Sequence, residues 1–215
     1  MIVTIDGPAG AGKSSAAREL ARRLGYRFLD TGAMYRAVTW AAKQRGLDLA
    51  DADALAQMVR EIRVELANDR VLVDGRDVTK EIRTFEITTA IQYAADNPAV
   101  RAQLVEWQRA AADNDNVVTE GRDQGTVVFP QAECKIFLTA EEDERARRRY
   151  RDLVARGESM SFEEVLSAQQ TRDERDRNRP VGALVMADDA VEVSTNRLTP
   201  QEVVARLEEI VRSKQ

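Results

Sequence analysis

Apolar residues along the chain alternate between short continuous runs and stretches with helical spacing. The run at residues 2–5 is typical of a buried strand. Apolar residues then recur at helical spacing from Ala17 to Leu24, and Gly25 stands at the expected end of that helix. Further strands are predicted at residues 26–29, 117–119, 135–138 and 190–193, and further helices at residues 34–45, 51–61, 84–95 and 98–112. Strands that alternate with helices favour an α/β fold, with a parallel sheet covered by helices on both faces.

Between residues 63 and 79 the hydrophobic period changes to two, with turn sequences at residues 67–69 and 74–75. This pattern predicts a small antiparallel meander. Because it interrupts an otherwise alternating α/β pattern, we interpret it as part of an inserted subdomain.

Capping sequences mark several helix starts. Asn97-Pro98 separates two predicted helices, Ser161-x-x-Glu164 has the form of a capping box, and residues 199–202 read Thr-Pro-Gln-Glu. We expect helices to begin directly after Asn97, Ser161 and Thr199.

Residues 7–14 carry the clearest chemical signal. They read Gly-Pro-Ala-Gly-Ala-Gly-Lys-Ser, which is the phosphate-binding loop Gly-x-x-x-x-Gly-Lys-Ser, and they follow the first predicted strand directly. Glycines let successive backbone N–H groups point inward around a phosphate, Lys13 adds positive charge, and Ser14 offers a hydroxyl to Mg²⁺. A glycine-rich turn without a ligand is the plain alternative. The residues assigned to a nucleoside triphosphate are Gly7, Pro8, Ala9, Gly10, Ala11, Gly12, Lys13, Ser14 and Ser15, with Ser14 as the metal ligand.

Composition narrows the chemistry further. The net charge is −5, which disfavours a general nucleic-acid binder. The chain has no histidine, which excludes imidazole catalysis, and its single cysteine, Cys134, excludes an intrachain disulfide. The sequence opens directly in a strand and contains no long apolar run, so we expect a cytoplasmic protein that does not span a membrane. Phosphoryl transfer to a phosphate acceptor remains possible because it needs no strong general base.

Residues 30–36 follow the second predicted strand, at the edge where ligands bind in open α/β sheets. Thr31 and Tyr35 can donate hydrogen bonds there, and Arg36 can bind a phosphate. The alternative is a helix cap formed by Asp30 or Thr31, with a solvated arginine beside it.

Residues 120–123 read Glu-Gly-Arg-Asp and follow another predicted core strand. Arg122 suits a phosphate through its planar set of donors. Asp123 can accept a hydrogen bond from the amino group of cytosine, whereas the carbonyl oxygen of uracil would be repelled. The alternative is an Arg–Asp surface pair in a turn.

Every basic residue between positions 141 and 180 is an arginine. This bias favours bidentate phosphate contacts over a simple solvated helix face, although interspersed acidic residues also permit salt bridges along a helix. The densest part is residues 172–179. Arginines on a mobile segment there could close over the two substrates and exclude water.

With these motifs in view, the chain resembles the bacterial cytidylate kinases from end to end. The resemblance rests on five motifs in family order, at residues 4–15, 30–36, 81–84, 121–130 and 172–179. It implies a P-loop NTPase-type sheet with a monophosphate-binding insertion and a helical lid. It also implies that ATP with Mg²⁺ phosphorylates CMP and dCMP.

The resemblance also implies roles for particular residues. It implies that Arg36, Arg122 and Arg179 bind the acceptor phosphate and that Arg172 and Asp176 bind the ribose. It further implies that Arg101 and Asp123 contact cytosine, and that Arg145 and Arg148 contact ATP. The implied catalytic group is Lys13, Arg36, Arg122, Arg172 and Arg179. Where the family commonly has a base-contacting serine, this sequence has Ile91 beside Gln92. Gln92 is the candidate for that contact, and the alternative is an alignment shifted by one residue.

We therefore expect one P-loop kinase domain that acts as a monomer. Its core comprises residues 1–62, 113–140 and 181–215, its insertion about 63–112, and its lid about 141–180. A P-loop kinase for another nucleoside monophosphate or for a small metabolite would share only residues 7–15. A GTP-hydrolysing switch is a more distant alternative, because the sequence has neither an Asp-x-x-Gly nor an Asn-Lys-x-Asp element.

Overall fold

The computed structural model describes residues 1–67, 70–155 and 157–215. Its strands are β1 (Ile2–Asp6), β2 (Arg27–Asp30), β3 (Val64–Ala67), β4 (Arg70–Val73), β5 (Arg76–Asp77), β6 (Val117–Gly121), β7 (Cys134–Thr139) and β8 (Val191–Ser194). Its helices are α1 (Lys13–Leu24), α2 (Thr31–Gln44), α3 (Ala52–Glu61), α4 (Phe85–Asp96), α5 (Pro98–Ala112), α6 (Glu142–Ala155), α7 (Phe162–Asn178) and α8 (Pro200–Arg212). The chain forms two compact units, the first comprising Met1–Phe28 and Asp115–Gln215 and the second Leu29–Asn114.

A five-stranded sheet with the order β2-β6-β1-β7-β8 organises the first unit. Its central strand, β1, pairs in parallel with both β6 and β7, so that Asp6 lies opposite Gly121 and Phe137. The carboxyl ends of these strands are therefore level with one another. Residues that follow β1 and β6 in sequence emerge at the same edge of the sheet.

The core of the first unit packs α1 and α8 against the sheet. Leu20 of α1 and Leu207 of α8 are fully buried with Ile5 and Ile136 of the sheet. Cys134 is also buried, at the start of β7. The predicted α/β fold with a helix-flanked parallel sheet is confirmed.

In the second unit a three-stranded antiparallel sheet, β3-β4-β5, confirms the predicted meander. The predicted turn at residues 67–69 lies mostly outside the described residues, because positions 68 and 69 are not among them. The core of this unit joins Met34 of α2, Met58 of α3 and Leu104 of α5. The unit also includes residues 31–61, upstream of the predicted insertion, so the division into core, insertion and lid stays a prediction.

The capping predictions are confirmed. Asn97 accepts hydrogen bonds from two backbone N–H groups of α5, and capping boxes begin α7 at Ser161 and α8 at Thr199. Asp30 caps α2 by accepting from the N–H of Ala33 at 2.9 Å. These contacts satisfy N–H groups that a helix start leaves without partners.

A short π-helical turn, Gln124–Val128, follows β6 and was not predicted. It makes i→i+5 hydrogen bonds, from Val128 N–H to the Asp123 carbonyl and from Phe129 N–H to the Gln124 carbonyl. The apolar residues in this segment have no period that distinguishes such a turn from a strand. Over the described ranges, no helix combines the length and the apolar character that crossing a bilayer requires.

Candidate active site

The phosphate-binding loop joins β1 to α1. Gly10 and Gly12 adopt left-handed φ angles of 80° and 90°, which side chains other than glycine disfavour. Helix α1 begins directly afterwards at Lys13. The strand, loop and helix therefore have the order that a phosphate cradle at a helix N-terminus requires.

Lys13 lies folded against this loop. Its Nζ donates a hydrogen bond of 2.8 Å to the Pro8 carbonyl, and only 5% of the residue is exposed. Burial, and after it the positive charge of Arg122, lowers the pKa of the Lys13 ammonium group to about 7. An anionic ligand in the loop would reverse this destabilisation of the charged form.

Ser14 lies beside the carboxylate of Glu120, which was not among the predicted site residues. Its Oγ donates to Oε1 of Glu120 at 2.7 Å, and Glu120 is buried near the end of β6. Oxygen ligands of this kind are those that Mg²⁺ prefers. No group of three or more His, Cys, Asp or Glu side chains among the described residues could hold a metal by itself.

Helix α6 packs directly on the phosphate-binding loop. The Arg145 guanidinium donates to the carbonyl of Ala9 at 2.9 Å and to Oδ2 of Asp173 in α7 at 2.6 Å. Arg148 donates to Thr195 Oγ1 at 2.9 Å, and that hydroxyl donates to the carbonyl of Ala11 at 3.4 Å. Both arginines assigned to ATP thus lie next to the loop backbone. Contact with ATP itself stays a prediction.

Arg122 and Asp123 occupy different surroundings at the end of β6. The Nε of Arg122 donates to Oδ2 of Asp176 at 2.7 Å, while Asp123 is 4% exposed and begins the π-helical turn. The alternative of an Arg–Asp surface pair is therefore wrong. Asp123 is a buried carboxylate whose backbone carbonyl is part of the turn.

Asp176 on α7 joins two of the predicted phosphate-binding arginines. Its Oδ2 accepts from Arg122, and its Oδ1 accepts from Arg179 at 2.7 Å. Burial opposes ionisation, but the charges of these two arginines prevail and hold the pKa of the Asp176 carboxyl group below its ordinary value. Arg179 is 9% exposed. The side chain of Arg172, one helical turn before Asp176 on α7, is exposed, but desolvation of its guanidinium group and the nearby charge of Arg122 lower its pKa to about 10. We call Arg122, Asp176 and Arg179 the arginine pair with its carboxylate.

Asp6, at the carboxyl end of β1, was not among the predicted site residues. Its two carboxylate oxygens accept from the backbone N–H groups of Gln124 and Gly125, at 2.9 and 2.7 Å. Burial raises the pKa of Asp6 to about 6, although both hydrogen bonds act to lower it. Its position directly before the phosphate-binding loop is the sequence feature that could have identified Asp6 as a site residue.

The remaining predicted residues lie in the second unit. Arg36 donates to Oδ1 of Asp30 at 3.4 Å, and its buried Nε makes no hydrogen bond within the described chain. Arg101 is 3% exposed and lies over the Tyr35 ring, 5.6 Å from its centroid. The contact with Tyr35 joins α5 to α2, the helix that also carries Arg36. Thr31 and Gln92 belong to the same unit, Thr31 buried at the start of α2 and Gln92 partly buried on α4.

The family model and the curated relatives both identify the same family. The family model described as cytidylate kinase matches residues 3–213. The cytidylate kinase of Rhodopirellula baltica is 51% identical over 99% of this chain and 93% of that protein. That of Mycobacterium leprae is 46% identical over 100% of this chain and 96% of that protein.

Among solved structures, shikimate kinase from Bacteroides thetaiotaomicron is 14% identical, with a TM-score of 0.52 over 99% of this chain and 98% of that one. An uncharacterised protein from Eubacterium ventriosum gives a TM-score of 0.53 at 12% identity, over 99% and 98% of the two chains. At these identities the structures support the fold alone. The family model and the full-length relatives go further, and on them this chain belongs to the cytidylate kinase family.

Proposed function

We propose that this protein transfers the γ-phosphoryl group of ATP to CMP and dCMP, giving CDP and dCDP. The observation that carries the proposal is the arginine pair with its carboxylate. It holds two guanidinium groups at the carboxyl end of β6, which is level with the end of β1 that leads into the phosphate-binding loop. An acceptor phosphate bound there would meet a donor triphosphate held by the loop.

On the donor side, the loop N–H groups and the N-terminus of α1 would bind the β-phosphate. Lys13 would turn from the Pro8 carbonyl to the phosphate oxygens, which attract its charge more strongly. Ser14 Oγ, which lies 2.7 Å from Oε1 of Glu120, would supply an oxygen ligand to the Mg²⁺ that accompanies ATP. That ion would neutralise charge between the β- and γ-phosphates. Arg145 and Arg148 remain our assignment for further contact with ATP.

On the acceptor side, the two guanidinium groups would bind the phosphate of CMP. Its oxygens are largely ionised near neutral pH, because the second pKa of such a phosphate is about 6. No general base is therefore required. The rate depends instead on the orientation of the two substrates and on neutralisation of the charge of their phosphates. Arg172 and Asp176 remain our assignment for the ribose hydroxyls.

Base choice would come from Asp123. Its buried carboxylate can accept a hydrogen bond from the exocyclic amino group of cytosine, while uracil presents an oxygen at that position. Two oxygens facing each other without a proton would destabilise the bound UMP. The roles assigned to Thr31, Tyr35, Arg36, Gln92 and Arg101 in binding the monophosphate stay predictions.

We place the protein in the cytoplasm as a monomer that works on small nucleotides without nucleic acid or membrane partners. The buried free thiol of Cys134 suits a reducing compartment. The net charge of −5 is unfavourable for binding a nucleic-acid backbone.

The test is to incubate the protein with ATP against CMP, dCMP, UMP, AMP and GMP in turn, with and without Mg²⁺, and to quantify each diphosphate and ADP. We expect Mg²⁺-dependent CDP and dCDP, with little product from the other three. Transfer to AMP or GMP alone would indicate a kinase of another base specificity. Bound ATP with no transfer to any monophosphate would point to a metabolite kinase.

A further inference from the structure

Asp6 is buried at the junction of the phosphate-binding loop and the turn that follows β6, and no step of the proposed reaction uses it. We propose that Asp6 is a positioning residue, which orients the base-reading carboxylate of Asp123 by holding the turn that follows it. This inference rests on the proposed function, because it concerns how the same site selects its acceptor.

The contact between Asp6 and the turn is bidentate. Oδ1 accepts from the N–H of Gln124 and Oδ2 from the N–H of Gly125, at 2.9 and 2.7 Å. Only 5% of Asp6 is exposed, so water does not compete freely for these bonds. A carboxylate that accepts two consecutive backbone N–H groups fixes both the position and the direction of that segment.

The peptide group between Asp123 and Gln124 is held at both ends. Its N–H donates to Asp6, and its carbonyl accepts from the N–H groups of Val127 and Val128 at 2.9 and 3.2 Å. A peptide plane fixed in this way leaves the Asp123 side chain little freedom beyond its own rotamers. The direction of the Asp123 carboxylate is thus set by a residue 117 positions earlier in the chain.

Close packing shows that the turn is pressed against β1. A Cβ atom at Gly125 would lie 2.9 Å from Oγ1 of Thr4 and 3.2 Å from Cδ of Lys135. Only glycine fits this approach without displacing a neighbour. The side chain of Gln124 adds a further anchor, since its Oε1 accepts from Thr119 Oγ1 at 2.9 Å.

The test compares kcat/KM for CMP and UMP in the wild type and in Asp6→Asn. An asparagine can accept only one of the two N–H groups and places an NH₂ group against the other. We expect the ratio of CMP to UMP kcat/KM to fall about tenfold, while KM for ATP stays within about twofold. The matched control is Val204→Ala, a buried position on α8 whose substitution lowers stability without touching the turn. It should keep the wild-type ratio.

Gly125→Ala provides a second variant, because it keeps the Asp6 carboxylate but displaces the same turn from β1. An unchanged CMP to UMP ratio in folded Asp6→Asn and Gly125→Ala, judged by their circular dichroism, would overturn the positioning role. Failure of both variants to fold would assign Asp6 to folding instead and would also overturn it. Wild-type protein that fails to phosphorylate CMP would instead contradict the proposed function, so the two failures are distinguishable.

Discussion

At the scale of single residues, Asp176 is the carboxylate on which the proposed acceptor site depends. It gives one oxygen to Arg122 and the other to Arg179. In this way it orients two positive groups that would otherwise repel each other. A substrate phosphate would compete for the same donors, so the arrangement suits reversible binding of an anion.

Arg179→Ala should lower kcat by about a hundredfold to a thousandfold, because it removes a charged donor expected to act on the transferred phosphoryl group. ATP affinity should change little, since the Arg179 guanidinium donates to Asp176 and to the Gly182 carbonyl, on the proposed acceptor side. Steady-state kinetics and an ATP titration measure the two effects. Arg177→Ala, at an exposed position near the end of α7 and two residues before Arg179, is the control. A near-normal kcat in Arg179→Ala would remove Arg179 from the mechanism.

Lys13 should take up a proton when ATP binds. Its pKa of about 7 leaves it mostly neutral at pH 8, and the negative charge of the triphosphate should raise that pKa so that the lysine becomes charged. Titration calorimetry at pH 8 in two buffers of different ionisation enthalpy measures the uptake. In Lys13→Met the uptake should disappear. Equal binding enthalpies for the wild type in both buffers would contradict the lowered pKa.

Asp123→Ala should reduce the preference for CMP over UMP by about 1–3 kcal/mol, because the variant can neither accept from cytosine nor repel uracil. Comparing kcat/KM for the two substrates provides the measurement. If discrimination persists in the variant, another group reads the base.

At the scale of secondary-structure elements, a buried ion pair joins α6 to α7. Arg145 and Asp173 are 2% and 1% exposed, and the Arg145 guanidinium also donates to the carbonyls of Ala9 and Ala140. The pair therefore connects the phosphate-binding loop with the helix that carries Asp176. This role was not visible in the sequence, where Arg145 is one arginine among many.

Asp173→Ala should lower the free energy of unfolding by about 3–5 kcal/mol, because it leaves the Arg145 charge buried without its counter-charge. Denaturant unfolding measures the loss. The double variant Arg145→Met, Asp173→Leu should recover much of it, since an apolar pair has no charge to desolvate. The control Arg206→Ala breaks an exposed pair with Glu209 and should cost less than about 1 kcal/mol. A similarly small loss in Asp173→Ala would show that the buried charge finds other compensation.

Elements governed by local sequence could be predicted, and those governed by distant contacts could not. The phosphate-binding loop and the caps at Asn97, Ser161 and Thr199 depend on residues within a few positions, and their sequences indicated them correctly. The π-helical turn depends on Asp6, which lies 118 positions from Gln124. A single sequence does not reveal that pairing. The contact between Ser14 and Glu120 was not predicted either, because the two residues are far apart in the sequence. The parallel register of β1 and β6 brings them together.

At the scale of the whole molecule, the chain comprises two compact units with separate cores. The first contains the phosphate-binding loop, the arginine pair with its carboxylate, Asp6 and Asp123. The second contains Arg36, Arg101 and the antiparallel sheet. Full-length similarity to cytidylate kinases covers both units, so the second belongs to the family architecture as much as the first.

One competition experiment tests cytosine-selective phosphoryl transfer most directly. Equal concentrations of CMP and UMP are mixed with the protein, Mg²⁺ and γ-labelled ATP, and labelled CDP and UDP are separated and counted at low conversion. The product ratio then equals the ratio of the two kcat/KM values, whatever the fraction of active protein. We expect CDP to exceed UDP at least about tenfold. Equal labelling of CDP and UDP, or labelling of neither, would contradict the proposed function.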